Sequence, residues 1–174
     1  MLFRSLVKAA TGLSLPIWSI QPLMTFARPY ESLSLSHLLS HDSRRLSVKQ
    51  LPDGEVMISG GWTGTTTATG LGVDELPHNG RVNYDDAAAV LPALRGGSVV
   101  GLDATRFETV SLDARPVMDA VPGLENALMG TGWTGRGFAV SLGMAELLAD
   151  WVIQGRRPAP LAPYSVDRFI SPAN

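Results

Sequence analysis

The sequence contains no cysteine, which excludes disulfide bonds, thiolate nucleophiles and cysteine-ligated zinc. Its three histidines, His37, His41 and His78, do not form the HExxH pair of a zinc enzyme, so we predict no histidine metal site. The 14 basic and 16 acidic residues leave a formal net charge of −2. Because this balance lacks the basic excess of a nucleic-acid-binding protein, we expect no nucleic-acid partner.

A long uncharged apolar run is also missing at the N-terminus. Arg4 and Lys8 interrupt the apolar residues there, whereas a signal peptide needs an apolar core of roughly 7–15 residues and a membrane span needs about 20. We therefore expect no transmembrane segment and a short amphipathic helix over residues 2–10, ended by Gly12. The absence of cysteine fits a reducing compartment, so we expect a cytoplasmic protein.

Turn residues divide the first part of the chain into predicted strands. With 45% hydrophobic and 17% charged residues, the 174-residue chain carries enough apolar material for a core. Residues 46–50 and 55–59 alternate in polarity on either side of Pro52-Asp53-Gly54, which predicts a β-hairpin. Residues 15–26 contain two prolines, which favours an edge strand or an extended run.

The second part of the chain carries two helix signals. Asn83, followed by acidic residues in the next turn, predicts the N-cap of a helix over residues 84–94. Residues 138–154 are apolar on nearly every side, so we expect a largely buried helix that ends at Gly155. The other expected elements are strands at residues 98–102, 106–112 and 127–129 and a loop at residues 116–123.

Four glycines fall within the eight residues 130–137, between the last predicted strand and the last helix. Glycine lets a backbone adopt left-handed angles and approach a ligand closely. The helix start adds free N–H groups and a partial positive charge, which suit a phosphate, a carboxylate or the negative edge of a reduced flavin. Close packing of helix against strand explains the same glycines equally well, so the residues leave both interpretations open. The run is not a dinucleotide-binding GxGxxG fingerprint, because no early strand precedes it and no βα unit with an acidic ribose ligand follows it, and no GKS or GKT sequence of a P-loop occurs.

A longer pattern resembles a known family. The run GTGWTGRGFAVSLGMAELLADWVIQG, followed by LAPYSVDRF, is similar to the closing motif of the FAD-dependent glycine/D-amino-acid oxidase superfamily. Earlier stretches resemble other family segments in the same order, and the nearest members are sarcosine, opine and D-amino-acid dehydrogenase-type subunits. These stretches are LVKAATGLSLPIWSIQPLMTF, LSVKQLPDGEVMISGGWTG and LDARPVMDAVPGLENAL.

The resemblance implies an α+β fold in two portions. Residues 1–112 would form a mostly antiparallel substrate-domain sheet. Residues 113–174 would supply the last strand and helix of a Rossmann-like FAD-binding domain. The N-terminal part of that domain, which holds the ADP half of FAD, has no counterpart in the matched stretches, so we expect it to be missing here. Three explanations remain open: this half is lost, it is on another chain, or it is encoded upstream of Met1.

The implied function is oxidation of the C–N bond of an amino acid or secondary amine, with hydride transfer to FAD. The family places the glycine loop against the flavin, where backbone N–H groups and the Arg136 side chain would face the ring edge. Arg106 and Arg115 are candidate partners for a substrate carboxylate. The implied cofactor-binding residues are Gly130, Thr131, Gly132, Trp133, Thr134, Gly135, Arg136, Gly137 and Phe138, and the N–H donors among them are those of Trp133, Thr134, Arg136 and Phe138.

One residue departs from the family pattern, since Asp119 stands where the family usually has glycine, close to the flavin.

Two other functions remain open. The chain could be a non-catalytic remnant or partner-binding subunit that does not hold FAD alone. A small anion-binding domain that uses only the 130–137 loop is the third possibility.

Overall fold

A computed structural model describes residues 3–66 and 73–170, and the fold is α+β with antiparallel sheets. The strands are β1 Ile17–Ile20, β2 Met24–Arg28, β3 Leu39–Ser40, β4 Ser47–Gln50, β5 Val56–Ser59, β6 Thr65–Thr66, β7 Val73–Asp74, β8 Ser98–Asp103, β9 Glu108–Ser111, β10 Val117–Ala120 and β11 Leu128–Thr131. The α-helices are α1 Phe3–Thr11, α2 Pro77–Val90 and α3 Gly137–Gln154. Short 3-10 helices cover Pro92–Leu94, Ala159–Tyr164 and Val166–Phe169. Within residues 3–66 and 73–170, no helix has the length and apolarity of a membrane span.

The chain divides into two compact units, each described by itself below. One unit, which we call the sheet unit, is the continuous segment 20–107. The other, which we call the loop unit, joins the segment before Ile20 to the segment after Phe107. The boundary expected at residue 112 separates a substrate-domain portion from an FAD-binding portion. The two compact units do not test such a functional division, so it stays a prediction.

The sheet unit is built on a five-stranded antiparallel sheet in the order β3-β4-β5-β2-β8. The predicted hairpin is confirmed, because β4 and β5 pair from Ser47 opposite Ser59 to Gln50 opposite Val56. Gly54 closes its turn at φ +90°, an angle that residues with a Cβ rarely adopt. Helix α2 packs on this sheet over a buried apolar core that comprises Ala27, Leu46, Val48, Val56, Ile58, Tyr84, Ala87 and Leu94.

Two expectations were wrong, one of them only in part. The edge strand expected over residues 15–26 holds for β1, which pairs with β9 in a two-stranded sheet, but β2 lies inside the five-stranded sheet, between β5 and β8. Helix α2 begins at Pro77 rather than after Asn83. Asn83 is fully buried within the helix, and its amide group donates to the Ile58 carbonyl at 3.2 Å and to the Thr25 hydroxyl at 3.2 Å. Its amide therefore satisfies sheet groups instead of capping a helix.

The loop unit contains two strand pairs, β1 with β9 and β10 with β11. Helix α1 confirms the predicted N-terminal helix, and Gly12 follows it at φ +75°. The expected loop at residues 116–123 was wrong in part, because Val117–Ala120 form strand β10 opposite Leu128–Thr131. Val117 is completely buried, so its side chain fixes this strand. The core of the unit comprises Val7, Leu15, Ile17, Val117, Val121, Met129 and Val166.

Helix α3 ends where expected, at Gly155 with φ +67°, but the expectation that it is largely buried was wrong. All residues of α3 are described, and none of them is buried. One face, with Leu147, Leu148 and Trp151, is half-buried. The opposite face is an exposed apolar stripe whose spacing alternates between four and three residues, and it comprises Phe138, Leu142, Ala145, Ala149 and Val152.

Candidate functional site at the glycine loop

The loop between β11 and α3 follows a left-handed path. Gly132 has φ +70°, Thr134 has φ +50° and Gly135 has φ +78°. Thr134 holds this unusual angle because its side chain and its amide are both bonded: its hydroxyl donates to the Gly132 carbonyl at 3.0 Å, and its N–H donates to the Thr109 carbonyl at 3.1 Å. The loop therefore has a fixed shape and lies along strand β9.

Three of the four glycines lie in tightly packed positions within the protein. A Cβ at Gly130 would lie 3.0 Å from the Met118 sulfur, and one at Gly132 would lie 3.2 Å from the Ser111 Cβ. At Gly137 it would lie 3.1 Å from Trp133. Gly135 differs, because the nearest protein atom to its Cβ position is a Glu108 carboxylate oxygen at 3.9 Å. The packing interpretation thus accounts for three glycines, and Gly135 faces open space.

The chain itself uses several of the N–H groups that were expected to face a ligand. Besides the Thr134 bond to β9, the Arg136 N–H donates to the Trp133 carbonyl at 3.1 Å. The Gly135 N–H donates to the Glu108 carboxylate. By contrast, the first N–H groups of α3, including those of Gly137 and Phe138, have no acceptor within the helix. The donors that are open to a ligand therefore lie at the helix start, where the helix dipole is positive.

The side chains around the loop have different environments. The Arg136 guanidinium donates to the Ala114 carbonyl at 3.1 Å, which ties the loop to the turn between β9 and β10. Thr131 is buried in the strand pair and Trp133 is half-buried beside Gly137. Phe138 is 100% exposed, so its ring makes no contribution to the core of this chain.

The two candidate carboxylate-binding arginines lie in different units. Arg106 belongs to the sheet unit, is 79% exposed at its side chain, and lies 4.0 Å from an Asp103 carboxylate oxygen. Arg115 belongs to the loop unit and directly follows Ala114, the residue that accepts the Arg136 bond. Arg115 is exposed.

Asp119 is a structural anchor, and its sequence context does not reveal the residues that it binds. Asp119 is buried in β10, and its carboxylate accepts the Ser165 hydroxyl at 2.5 Å and the Val166 N–H at 2.9 Å. Arg157 forms an ion pair with it at 3.3 Å. These contacts fasten the C-terminal segment to the strand pair, which gives a structural reason for an aspartate at this position.

Arg168 is a second anchor that the sequence did not reveal, because Asp113 and Arg115, two of its partners, lie more than 50 residues away in the chain. It donates to the Asp113 carboxylate at 2.8 Å and 3.3 Å, to the Arg115 carbonyl at 2.9 Å, and to the Ser165 carbonyl at 2.7 Å. The hydrogen bond from Arg168 is the main reason that the pKa of Asp113 lies below its usual value. Arg168, which belongs to the run LAPYSVDRF, thus fixes the turn that also receives Arg136.

The overall fold of this chain is similar to that of several solved amino-acid oxidoreductases. No protein-family model and no curated protein matches the sequence. Among solved structures, L-proline dehydrogenase from P. horikoshii aligns with a TM-score of 0.70, 17% identity, and coverage of 95% of this chain and 44% of that one. Glycine oxidase from Geobacillus kaustophilus aligns with a TM-score of 0.68, 19% identity, and coverage of 94% and 42%.

Iminodiacetate oxidase from Chelativorans sp. BNC1 is a third similar structure, with a TM-score of 0.69 and 17% identity over 90% of this chain and 42% of that one. At these identities the similarity establishes the shared fold alone. The chain spans less than half the length of each of these three solved chains.

Proposed function

We propose that this chain forms the flavin-ring side of an FAD-dependent oxidoreductase that oxidises the C–N bond of an amino acid or a secondary amine. The observation that carries the proposal is the rigid strand–glycine loop–helix at residues 128–154, whose helix start is open. It occurs in a fold that matches L-proline dehydrogenase over 95% of this chain. The motif resemblance to the glycine/D-amino-acid oxidase superfamily supports the same function independently of that fold comparison.

The residues present fit a flavin edge at the start of α3. The N–H groups of Gly137 and Phe138 have no intrahelical acceptor, and the positive end of the helix dipole points outward there. Gly135 leaves open space beside this point, so a flat ring can approach the backbone. A carbonyl oxygen or a negatively charged nitrogen at the ring edge is the kind of group that such donors stabilise.

FAD, when bound, would supply the ring that accepts a hydride from the substrate. The chain's own contribution is to bind and orient. Arg136 holds the loop through Ala114 and adds a positive charge beside it. Arg115 would pair with a substrate carboxylate, and Arg106 stays a second candidate for that role. We expect the ADP half of FAD to be held by polypeptide beyond the 174 residues, whether on another chain or on a longer form of this one.

The proposal is tested by titrating the chain with FMN, FAD and ADP while amide NMR shifts are monitored. If the chain contributes only the ring side, FMN and FAD should bind with similar affinity, and ADP should not compete. The shifts should centre on residues 135–139. Absence of any flavin binding at millimolar concentration, or competition by ADP, would overturn the proposal.

A second function is favoured by the exposed apolar stripe of α3. Leu142 is 86% exposed and Phe138 is completely exposed. A contiguous exposed apolar surface of this kind usually marks a site of protein–protein interaction. A partner-binding subunit without a catalytic role would have such a surface. In that case a partner would perturb Leu142 and its neighbours on the stripe, while flavin would leave residues 135–139 unchanged.

A further inference from the structure

The glycine loop is held against strand β9 by one side chain. Glu108 is the first residue of β9, and its half-buried carboxylate accepts the N–H of Gly135. The preceding loop residue, Thr134, donates its N–H to the carbonyl of Thr109 at 3.1 Å. Two consecutive loop amides therefore bind two consecutive residues of β9, one through a side chain and the other through the backbone.

The Glu108 bond acts at the point where the loop most needs support. Thr134 and Gly135 both have positive φ, at +50° and +78°, and a non-glycine residue keeps such an angle only when its surroundings hold it. The backbone bond to Thr109 holds one side of this pair of residues. The Glu108 carboxylate holds the other side, next to the open space at Gly135.

The negative charge of Glu108 strengthens its hydrogen bond to Gly135, which lies at the protein surface. Within the part of the chain that the structure describes, no arginine, lysine or histidine forms an ion pair with Glu108. Its carboxylate is thus directed to an amide instead of a cation, and hydrogen bonds with one charged partner are about twice as strong as neutral ones. Since Glu108 bonds a loop amide and no cation, its structural role is to hold the loop conformation.

We propose that Glu108 is a positioning residue for the flavin-facing loop: its carboxylate fixes the amide of Gly135 and thereby the backbone path that leads to the open N–H groups of α3. This inference rests on the proposed function, because Glu108 can position the loop for a flavin only if the loop faces one. The hold of Glu108 on the loop can nevertheless be measured without any flavin.

The experiment compares Glu108→Ala and Glu108→Gln, with Glu125→Ala as the matched control from an exposed loop of the same unit. The first measurement is amide hydrogen exchange of Gly135 in the unliganded chain. Glu108→Ala removes the acceptor and should speed this exchange about tenfold or more, whereas Glu108→Gln keeps an acceptor oxygen and should restore most of the protection. Glu125→Ala should leave it unchanged.

The second measurement is FMN affinity with the same proteins. Glu108→Ala should weaken FMN binding about tenfold, Glu108→Gln should recover it, and Glu125→Ala should match the wild type. Unchanged Gly135 exchange in Glu108→Ala would overturn the proposal. Faster exchange with unchanged FMN affinity would also overturn it, because the loop would be held without serving the ligand. A wild-type chain that binds no flavin defeats the proposed function and with it the positioning role, and the exchange data then decide only whether Glu108 holds the loop.

Discussion

Substitution of Gly135 by valine separates contact with a ligand from backbone strain. Gly135 has φ +78°, and an L-residue in that region costs roughly 1–2 kcal/mol. The Cβ would meet only a Glu108 oxygen at 3.9 Å, which is an ordinary contact. Because the Cβ itself causes no clash, we take the backbone strain as the main structural cost of Gly135→Val, which corresponds to a fall in Tm of roughly 2–8 °C for a protein of this size.

Gly123 provides a matched control. It has φ +79°, a Cβ there would meet nothing within 4 Å, and it lies in the turn between β10 and β11. Gly123→Val should consequently lower Tm by the same amount as Gly135→Val. The two variants differ only in whether the new side chain lies beside the proposed flavin site.

We expect Gly135→Val to lose flavin binding and Gly123→Val to keep it. Thermal denaturation followed by circular dichroism measures the strain, and flavin fluorescence measures the binding. Equal loss of flavin in both variants would show that strain, and not contact, is responsible. Full retention by Gly135→Val with an unshifted flavin spectrum would show that the loop does not touch the ring, and the proposed function would lose its physical basis.

Three further outcomes are expected. Arg168→Ala should destabilise the protein by about 2 kcal/mol in urea denaturation at pH 7. The pKa of Asp113 is lowered in the folded protein, so its carboxylate stabilises the fold above its unfolded pKa of about 3.9, and this stabilisation is lost as pH falls through the folded pKa. Arg168→Ala should therefore lose less stability on acidification than the wild type. Equal losses in the two proteins would count against the Arg168–Asp113 bond. Gly54→Val should cost roughly 1–2 kcal/mol, since Gly54 has φ +90°, and an unchanged urea midpoint would contradict the turn geometry. The exposed stripe of α3 should make the chain self-associate, so Leu142→Glu should shift sedimentation toward monomer, and a wild type that is already monomeric would refute this expectation.

Local patterns predicted the parts of the fold that local forces decide. The β4–β5 hairpin follows from alternation around Pro52-Asp53-Gly54, and the end of α3 follows from Gly155. Asn83 misled because its cap-like sequence context says nothing about Ile58, whose carbonyl it bonds across the sheet unit. Tertiary hydrogen bonds of the Asn83 side chain thus outweigh its local preference for a helix N-cap.

The candidate site was predictable in location but not in its supports. Glycine spacing marked residues 130–137, yet the sequence could not show that Glu108 and Thr109 already bind two of the loop amides. Nor could it show that packing within the chain explains Gly130, because that contact depends on the position of Met118. Such supports join residues far apart in sequence, and periodicity carries no information about them.

The discontinuity of the loop unit has a consequence for biosynthesis. Strand β1 leaves the ribosome early, but its partner β9 is made only after the whole sheet unit has been synthesised. At typical translation rates this interval lasts roughly 5–20 s. During that time the sheet unit can fold from continuous chain, whereas the strand that pairs with β1 has not yet been made. Strand β1 is therefore open to wrong pairing throughout this interval.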